Sequence, residues 1–326
     1  MGTKAIFPTA PRRAGMYESF YLRAVSPVEP VGVWIRHTVH KRPGQQPTAS
    51  IWFTLFDARD GRPFMHKLTT GELGVPPGAW IAVGADAEIG PGRAEGRCGP
   101  ARWSLRFASG EPELRHLRPE LLYRLPLPRT KLTSPVPGAR FDGVVELEGH
   151  GPIELHAWPG MVGHNWGSEH AERWIWLHGI AFEGAPDAWI DVALGRLKVA
   201  GRMTPWVANG ALSLDGRRHR IGGLGARGLR VDESAEGCLL RLAGENGMTI
   251  EARAEVPPAS AAGWRYADPD GGEHDVINCS VAALELSVAS PDRSAPRTMR
   301  TAHGGAYELG MRERDHGVPI APFADG

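Results

Sequence analysis

Cysteine is scarce in this chain, and the cysteines are too far apart to form a recognisable motif. Cys98, Cys238 and Cys279 are the only three in 326 residues, and no CxxC pair occurs. An odd number of widely spaced cysteines argues against both a disulfide framework and a thiolate zinc site. We therefore expect buried, reduced thiols in a reducing compartment.

An excess of charge of one sign and long apolar runs are also missing. Lys plus Arg and Asp plus Glu both total 37, so the formal net charge is zero. Without a basic excess we expect no nucleic-acid partner. No apolar run approaches the length that spans a bilayer, and the opening MGTKAIFPTAPRRAG has no apolar signal-peptide core. We expect a cytoplasmic protein without an integral membrane segment.

Helix-forming stretches are few, because 42 glycines and 28 prolines interrupt the chain at short intervals. Short β-branched and aromatic runs with period-two alternation lie between these breaks, as is typical of sandwiches and barrels. The segment 126–138 carries four prolines and is predicted to be an extended connector. Since 326 residues are many for one core, we predict an all-β protein with two barrel or sandwich domains, 1–172 and 173–326.

Tryptophan is concentrated in one window, 158–189. The stretch GMVGHNWGSEHAERWIWLHG at 160–179 adds three histidines and two glutamates. Such a concentration indicates either the centre of a core or a pocket that needs both ring faces and titratable groups. Five of the 11 tryptophans lie in the window: Trp158, Trp166, Trp174, Trp176 and Trp189.

Two consecutive strands in this window are predicted to form a hairpin. In RWIWLHG, the alternation places Trp174, Trp176 and His178 on one face. In AWIDVALG, Trp189 and Asp191 share a face. A turn at EGAP would then put His178 directly opposite Asp191.

Asp191 is the most informative carboxyl group in the chain, because its neighbours in WIDVAL are apolar. Desolvation is expected to raise the pKa of Asp191 and to keep it protonated. A carboxylic acid in a water-poor cavity could protonate an alkene or a carbonyl, and indole faces could stabilise the resulting cation. The alternative is a structural role, in which a buried Asp191 holds the sheet together through hydrogen bonds.

The motif GHNWGSEH has two interpretations. Gly163 and Gly167 indicate a bent or bulged segment that directs the side chains between them inward. The alternative is a metal site, but its spacing fits no common zinc pattern, so we predict no metal. Its ligands would be His164, Glu169, His170 and His178.

Two glutamates lie in apolar surroundings outside this window. Glu18 belongs to YESFYLRA, and Glu308 belongs to HGGAYELG near the end of the chain. Each is either a buried hydrogen-bonding anchor, which we favour, or a group of the site.

These motifs resemble a known family. At HNWG, WIW and WID, the chain is similar to hydroxyneurosporene synthase (carotenoid 1,2-hydratase), with tocopherol-cyclase-like proteins and lipocalin-type pericyclases as distant relatives. The resemblance extends to YESFYLRA, NCSVAALEL and GGAYELG and so covers most of the chain. It implies two tandem lipocalin-like antiparallel β-barrels.

The resemblance also implies roles for individual residues. In the hydratases a His-x-Trp pair, matched by His164 and Trp166, and a downstream Asp, matched by Asp191, protonate an isoprenoid double bond, and water captures the cation. The family has Tyr where this chain has Trp189. An indole can still stabilise a cation, but it cannot pass a proton to oxygen as a phenol does.

We therefore predict a cofactor-independent enzyme that hydrates, cyclises or isomerises a hydrophobic isoprenoid- or polyketide-like molecule. Asp191 would be the general acid, and His164 would orient it or manage water. Because no exposed apolar patch or amphipathic helix is evident, we expect no membrane-facing surface. The alternatives are a lipocalin-like carrier of an apolar ligand and a scaffold with no cavity. The predicted substrate-binding residues are Trp166, Trp174, Trp176, His178, Trp189 and Glu18.

Overall fold

Antiparallel strands dominate the part of the chain that the structure, a computed structural model, describes: residues 2–11, 13–223, 225–313 and 316–323. In these residues the helical segments are short 3-10 turns, and none is long and apolar enough to cross a membrane. The predicted all-β class is confirmed. The turns are Phe7–Thr9, Glu120–Tyr123 and Glu245–Gly247.

The first sheet contains twelve strands, in the order β4-β3-β2-β1-β12-β11-β9-β8-β7-β6-β5, with β10 paired to β11. The Cys98 thiol of β8 lies 3.4 Å from the carbonyl oxygen of Ile51 in β3. Because β3 and β8 are distant in the sheet order, this contact shows that the sheet curls until it is nearly closed. Its strands are β1 Met16–Val25, β2 Val31–Lys41, β3 Thr48–Asp57, β4 Phe64–Thr70, β5 Leu73–Gly74, β6 Ile81–Val83, β7 Ala87–Gly90, β8 Arg93–Cys98, β9 Ala101–Ala108, β10 Leu114–Arg115, β11 Thr130–Leu147 and β12 Ile153–Gly167.

The remaining strands form a second large sheet and a small hairpin. The sheet order is β18-β17-β14-β13-β24-β23-β21-β20-β19, with β22 paired to β23, while β15 and β16 pair only with each other. In chain order the strands are β13 Arg173–Gly179, β14 Trp189–Arg196, β15 Lys198–Val199, β16 Arg202–Met203, β17 Val207–Leu214, β18 Arg217–Gly222, β19 Arg230–Ser234, β20 Gly237–Ala243, β21 Thr249–Glu255, β22 Ala262–Ala267, β23 Glu273–Ala289 and β24 Arg297–Met311.

Apolar side chains form one cluster inside each large sheet and a third cluster between the sheets. The third cluster combines Trp34 and Trp52 of the first sheet with Trp189 and Trp264 of the second. Burial of these large rings fastens the two sheets together. The domain division at residues 172 and 173, which falls between the two sheets, stays a prediction.

The predicted hairpin has the register expected from the sequence. His178 of β13 pairs with Asp191 of β14, and the ladder ends one step later at Gly179 and Ile190. On its other side β13 pairs with β24. β14 in turn pairs with β17, so the hairpin lies inside the second sheet and both of its edges are paired.

The proline-rich segment departs from its predicted role as a connector. Residues 130–138 belong to β11, which pairs with β12. Because Pro135 and Pro137 cannot donate backbone hydrogen bonds, the ladder shifts register between Thr133 and Val136 and again before Ala139. These two bulges therefore lie in β11, whereas β12 pairs with β1 without a register shift from Gly160 to Gly167, so the predicted bulge in GHNWG is wrong.

The glycines of GHNWG instead allow close packing. A Cβ atom at Gly163 would lie 2.1 Å from the Tyr21 ring, and one at Gly167 would lie 2.1 Å from the carbonyl oxygen of Arg129. Only a residue without a side chain lets these neighbours approach so closely. Gly163 thereby fixes the position of Tyr21.

Candidate active site

A cavity of about 580 Å³, here called the seam cavity, lies between the two large sheets. Strands of both sheets line it, and so does the segment that precedes β11. Most of its lining is apolar, and a volume of this size suits a small organic molecule. Among its apolar lining residues are Trp34, Leu122, Leu132, Trp174, Trp176 and Leu194.

Glu308 of β24 is the carboxylate of this cavity. It accepts hydrogen bonds from Trp174 Nε1 at 2.9 Å, Asn278 Nδ2 at 3.1 Å and the Tyr266 hydroxyl at 3.2 Å. These three donors fix the orientation of the carboxylate in a largely apolar environment. Glu308 is therefore a hydrogen-bonded anchor, as we favoured from the sequence, and it also lines the cavity.

Two tyrosines and an arginine lie beside Glu308 in the cavity lining. Burial and the charges of Asp191 and Glu308 raise the pKa of Tyr21 well above its ordinary value. Burial likewise raises the pKa of Tyr266, although Arg36, whose guanidinium carbon lies 4.0 Å from the ring centre, opposes the shift. Both phenols are therefore protonated at neutral pH and can donate hydrogen bonds.

Trp174 and Trp176 are the predicted substrate-binding residues that line the cavity. They alternate with Ile175 and Leu177, which belong to the core of the second sheet. The Trp176 ring contacts Tyr21 edge to face, with the ring centres 5.6 Å apart. One face of β13 thus supplies two indoles to the cavity.

Asp191 lies behind Trp176 and does not line the cavity. Its Oδ1 accepts from Trp176 Nε1 at 3.0 Å and lies 3.3 Å from His116 Nε2, while Oδ2 accepts from the Ser134 hydroxyl. Burial alone would raise the pKa of Asp191, but His116 and the Ser134 hydroxyl stabilise the carboxylate and hold its pKa below the ordinary range. The predicted upward shift is therefore wrong, and Asp191 is a buried anion.

His178 lies beside Asp191 in the same buried layer but outside the cavity lining. Its Nδ1 accepts a hydrogen bond from Arg23 Nη1 at 2.8 Å. Arg23 also donates to the carbonyl oxygens of Ser280 and Gly305, so it ties the first sheet to the second. His178 therefore belongs to the connection between the sheets.

His164 and Trp166 point away from the cavity, because they lie on the opposite face of β12 from Asn165. Asn165 lines the cavity. His164 stacks between Phe20 and Trp166, with ring centres 4.0 and 4.5 Å away. The structure therefore places His164 and Asp191 in separate networks, contrary to their predicted convergence around one substrate.

Glu18, another predicted substrate-binding residue, is an anchor for the start of the chain. It is fully buried, accepts from the backbone N–H groups of Ile6 and Phe7, and accepts from His164 Nε2 at 2.7 Å. Trp189 also lies outside the cavity lining, where its Nε1 donates to Glu111 at 2.7 Å. The binding roles predicted for Glu18 and Trp189 find no support in this geometry.

Replacement of Glu18 by alanine is expected to lower the free energy of unfolding by about 2–3 kcal/mol, since it leaves buried donors unpaired. Chemical denaturation measures this loss, and limited proteolysis before residue 10 reports release of the first segment. Glu29→Ala is the matched control, because the Glu29 side chain is 54% exposed. Equal losses in the two variants would contradict the anchoring role.

The described residues also contain a group of metal-ligand type, of which the sequence analysis named only His170 as a candidate ligand. His170, Asp268 and His274 are buried and offer ligand atoms within 4.8 Å of one another. Two imidazoles and a carboxylate suit zinc or iron by type. However, Asp268 already accepts from the backbone N–H and Nδ1 of His170 and from Arg312 at 3.2 Å. That guanidinium disfavours a second cation beside the same carboxylate.

Comparison with known proteins places the fold. No protein-family model matches the chain. The uncharacterized proteins MT0513 and Rv0493c of Mycobacterium tuberculosis strains CDC 1551 and H37Rv are each 24% identical to it over 304 residues, which is 92% of this chain and 87% of each relative.

Three solved structures align with nearly the whole of this chain. CghA with Sch210972 has a TM-score of 0.60 at 13% identity and covers 91% of this chain and 88% of its own. NE1406 of Nitrosomonas europaea has a TM-score of 0.55 at 14% identity and covers 94% of this chain and 97% of its own. The fold is shared. Kievitone hydratase of Nectria haematococca scores 0.52 at 10% identity, over 92% and 90%, and the predicted lipocalin-like fold is thereby confirmed.

Proposed function

We propose that the protein is a cofactor-independent enzyme that hydrates, cyclises or isomerises a hydrophobic small molecule in the seam cavity. The observation that carries this proposal is the meeting of an oriented carboxylate, Glu308, with two protonated phenols, Tyr21 and Tyr266, at an indole-lined cavity. A passive apolar binding site needs no such cluster of polar groups, whereas proton transfer does.

The phenols favour a particular kind of substrate. A tyrosine whose pKa is raised is too weak an acid to protonate an isolated double bond, but its hydroxyl can polarise a carbonyl oxygen. We therefore favour a substrate whose double bond is conjugated to a carbonyl group. Tyr21 would donate to that oxygen. Glu308 would take a proton from the attacking water, or from a carbon of the substrate, and return it to the carbon next to the carbonyl group, so that Glu308 ends the reaction ionised.

The indoles and the buried network behind them complete the proposal. Trp174 and Trp176 would pack on the apolar body of the substrate and keep water from that side of the cavity. Asp191 accepts from Trp176 Nε1 and would act as a positioning residue for that ring. For His164 we propose a structural role, because it packs inside the first sheet on Phe20.

Two structures with the same fold are consistent with this proposal. One is named a hydratase, and CghA was crystallised with Sch210972. Identities of 10 and 13% convey the fold alone, so the support for chemistry comes from the geometry of the cavity.

Incubation of the protein with an extract of apolar metabolites, in water labelled with heavy oxygen, is expected to convert one of them into a new product. Mass spectrometry distinguishes the reactions: hydration adds one labelled water, whereas cyclisation or isomerisation changes the retention time at constant mass. A carrier, the alternative function, returns the molecule unchanged. Heat-inactivated protein is the control for spontaneous reaction.

A further inference from the structure

Exposed apolar side chains are concentrated at the entrance of the seam cavity. Residues 117–131 and 194–207, here called the entrance rim, both contribute lining residues to the cavity. Of ten exposed large apolar side chains among the described residues, six belong to this rim. They are Leu121, Leu125, Leu127, Leu197, Val199 and Val207.

The exposed apolar surface continues into the cavity. Leu127, Leu197 and Val207 are each more than a third exposed, and each also lines the cavity. The patch is built from two segments about seventy residues apart, so no single run of sequence reveals it. The predicted absence of an exposed apolar patch is therefore wrong.

The charge of the entrance rim is strongly positive, although the whole chain is neutral. The rim holds seven basic residues and a single acidic one, Glu120. Glu120 pairs with Arg118. Arg124, Lys198 and Arg202 are exposed and form no ion pair with any residue in the described part of the chain. Arg129 is paired with Glu169 and Lys131 is buried, so Arg124, Lys198 and Arg202 supply the uncompensated positive charge beside the leucine and valine side chains.

We propose that the entrance rim docks on the surface of an anionic lipid bilayer. Apolar side chains that enter the headgroup region, flanked by Lys and Arg that face anionic lipids, are the combination that peripheral membrane proteins use. A ligand dissolved in the bilayer could then pass from lipid into the seam cavity without crossing water. Charge complementarity favours an anionic bilayer over a neutral one.

Vesicle co-sedimentation without any substrate tests this proposal independently of the proposed function. Vesicles of equal parts phosphatidylcholine and phosphatidylglycerol are expected to bind the protein at least tenfold more tightly than pure phosphatidylcholine vesicles, with the difference shrinking as salt is raised. Lys198→Glu with Arg202→Glu should abolish that difference. Leu121→Ser with Val199→Ser should weaken binding to the mixed vesicles at least tenfold.

The matched control is Leu68→Ser with Leu239→Ser, because these side chains are 45% and 50% exposed on β4 and β20, outside the rim. Circular dichroism confirms that each variant is folded. Failure of the wild-type protein to bind either vesicle would overturn the proposal, as would equal losses in the rim and control variants. Size-exclusion chromatography that shows a dimer for the wild-type protein and a monomer for the variant Leu121→Ser with Val199→Ser would also overturn it, since the rim would then cover a second copy of the chain.

Discussion

Lowering the pH from neutral to about 5 is expected to remove about 6 kcal/mol from the free energy of unfolding. Burial lowers the pKa values of His37, His178 and His274 to about 3 each. For His178 the Arg23 charge lowers the pKa further, and for His274 the neighbouring His170 does so. All three imidazoles are therefore neutral in the folded protein at neutral pH.

The sign follows from proton binding in the two states. In the unfolded chain these histidines bind protons near pH 6.5, whereas in the folded protein they do so only near pH 3. Between these values the unfolded state binds more protons. The free energy of unfolding therefore decreases by about 4 kcal/mol for each pH unit by which the pH is lowered, if all three groups contribute. Since whole domains are stable by about 5–15 kcal/mol, we expect acid unfolding well above the range in which carboxylates titrate.

Chemical denaturation at a series of pH values measures this slope. His37→Leu should reduce proton uptake on unfolding by about one, because it removes one neutral imidazole from the folded state. His156→Leu is the control, since His156 is 81% exposed. Buried Asp191 and Asp268 have lowered pKa values, so their protonation reduces the free energy of unfolding only below about pH 3.9. A constant free energy of unfolding between pH 6.5 and 5 would contradict the prediction.

The fold was more accessible from the sequence than the site. Strand alternation and the EGAP turn fix the pairing of His178 with Asp191, and the structure has that pairing. In β12 the same reasoning does not determine the cavity face, because His164 and Trp166 on one face are as plausible as Asn165 on the other. Sequence alternation says which residues share a face, but not which of two buried faces borders a cavity.

The ionisation state of Asp191 shows a second limit of prediction from the sequence. Apolar neighbours along the strand predict desolvation, and that effect is present. The opposing groups, His116 and Ser134, come from β11 and the segment before it, more than fifty residues away. Arg36 and Tyr266 were missed for the same reason, since only the packing of the two sheets brings them to Glu308.

Replacement of Glu308 by glutamine is expected to lower turnover by about 10²–10⁴-fold with the substrate identified by the labelling experiment. Glutamine is nearly the same size and keeps one acceptor oxygen, which can serve Tyr266 and Asn278, but its amide nitrogen then faces Trp174 Nε1 and it cannot accept a proton. Tyr21→Phe should lower turnover by about 10²–10³-fold, because it removes one donor to the developing charge. Asp191→Asn should lower it less than tenfold, since the amide oxygen can still accept from Trp176 Nε1.

Steady-state kinetics and direct ligand binding together separate these roles. Glu251→Gln, an exposed glutamate of β21, and Tyr307→Phe, whose hydroxyl donates to the Ser234 carbonyl, are the matched controls and should leave turnover unchanged. Substrate affinity should stay within a few-fold in the Glu308 and Tyr21 variants, because each changes one polar atom in an otherwise apolar cavity. If Asp191→Asn abolishes turnover while Glu308→Gln does not, the acid is Asp191, as the sequence predicted. Protonation would then have to reach the substrate past the Trp176 ring, and a chemical role for Glu308 would be excluded.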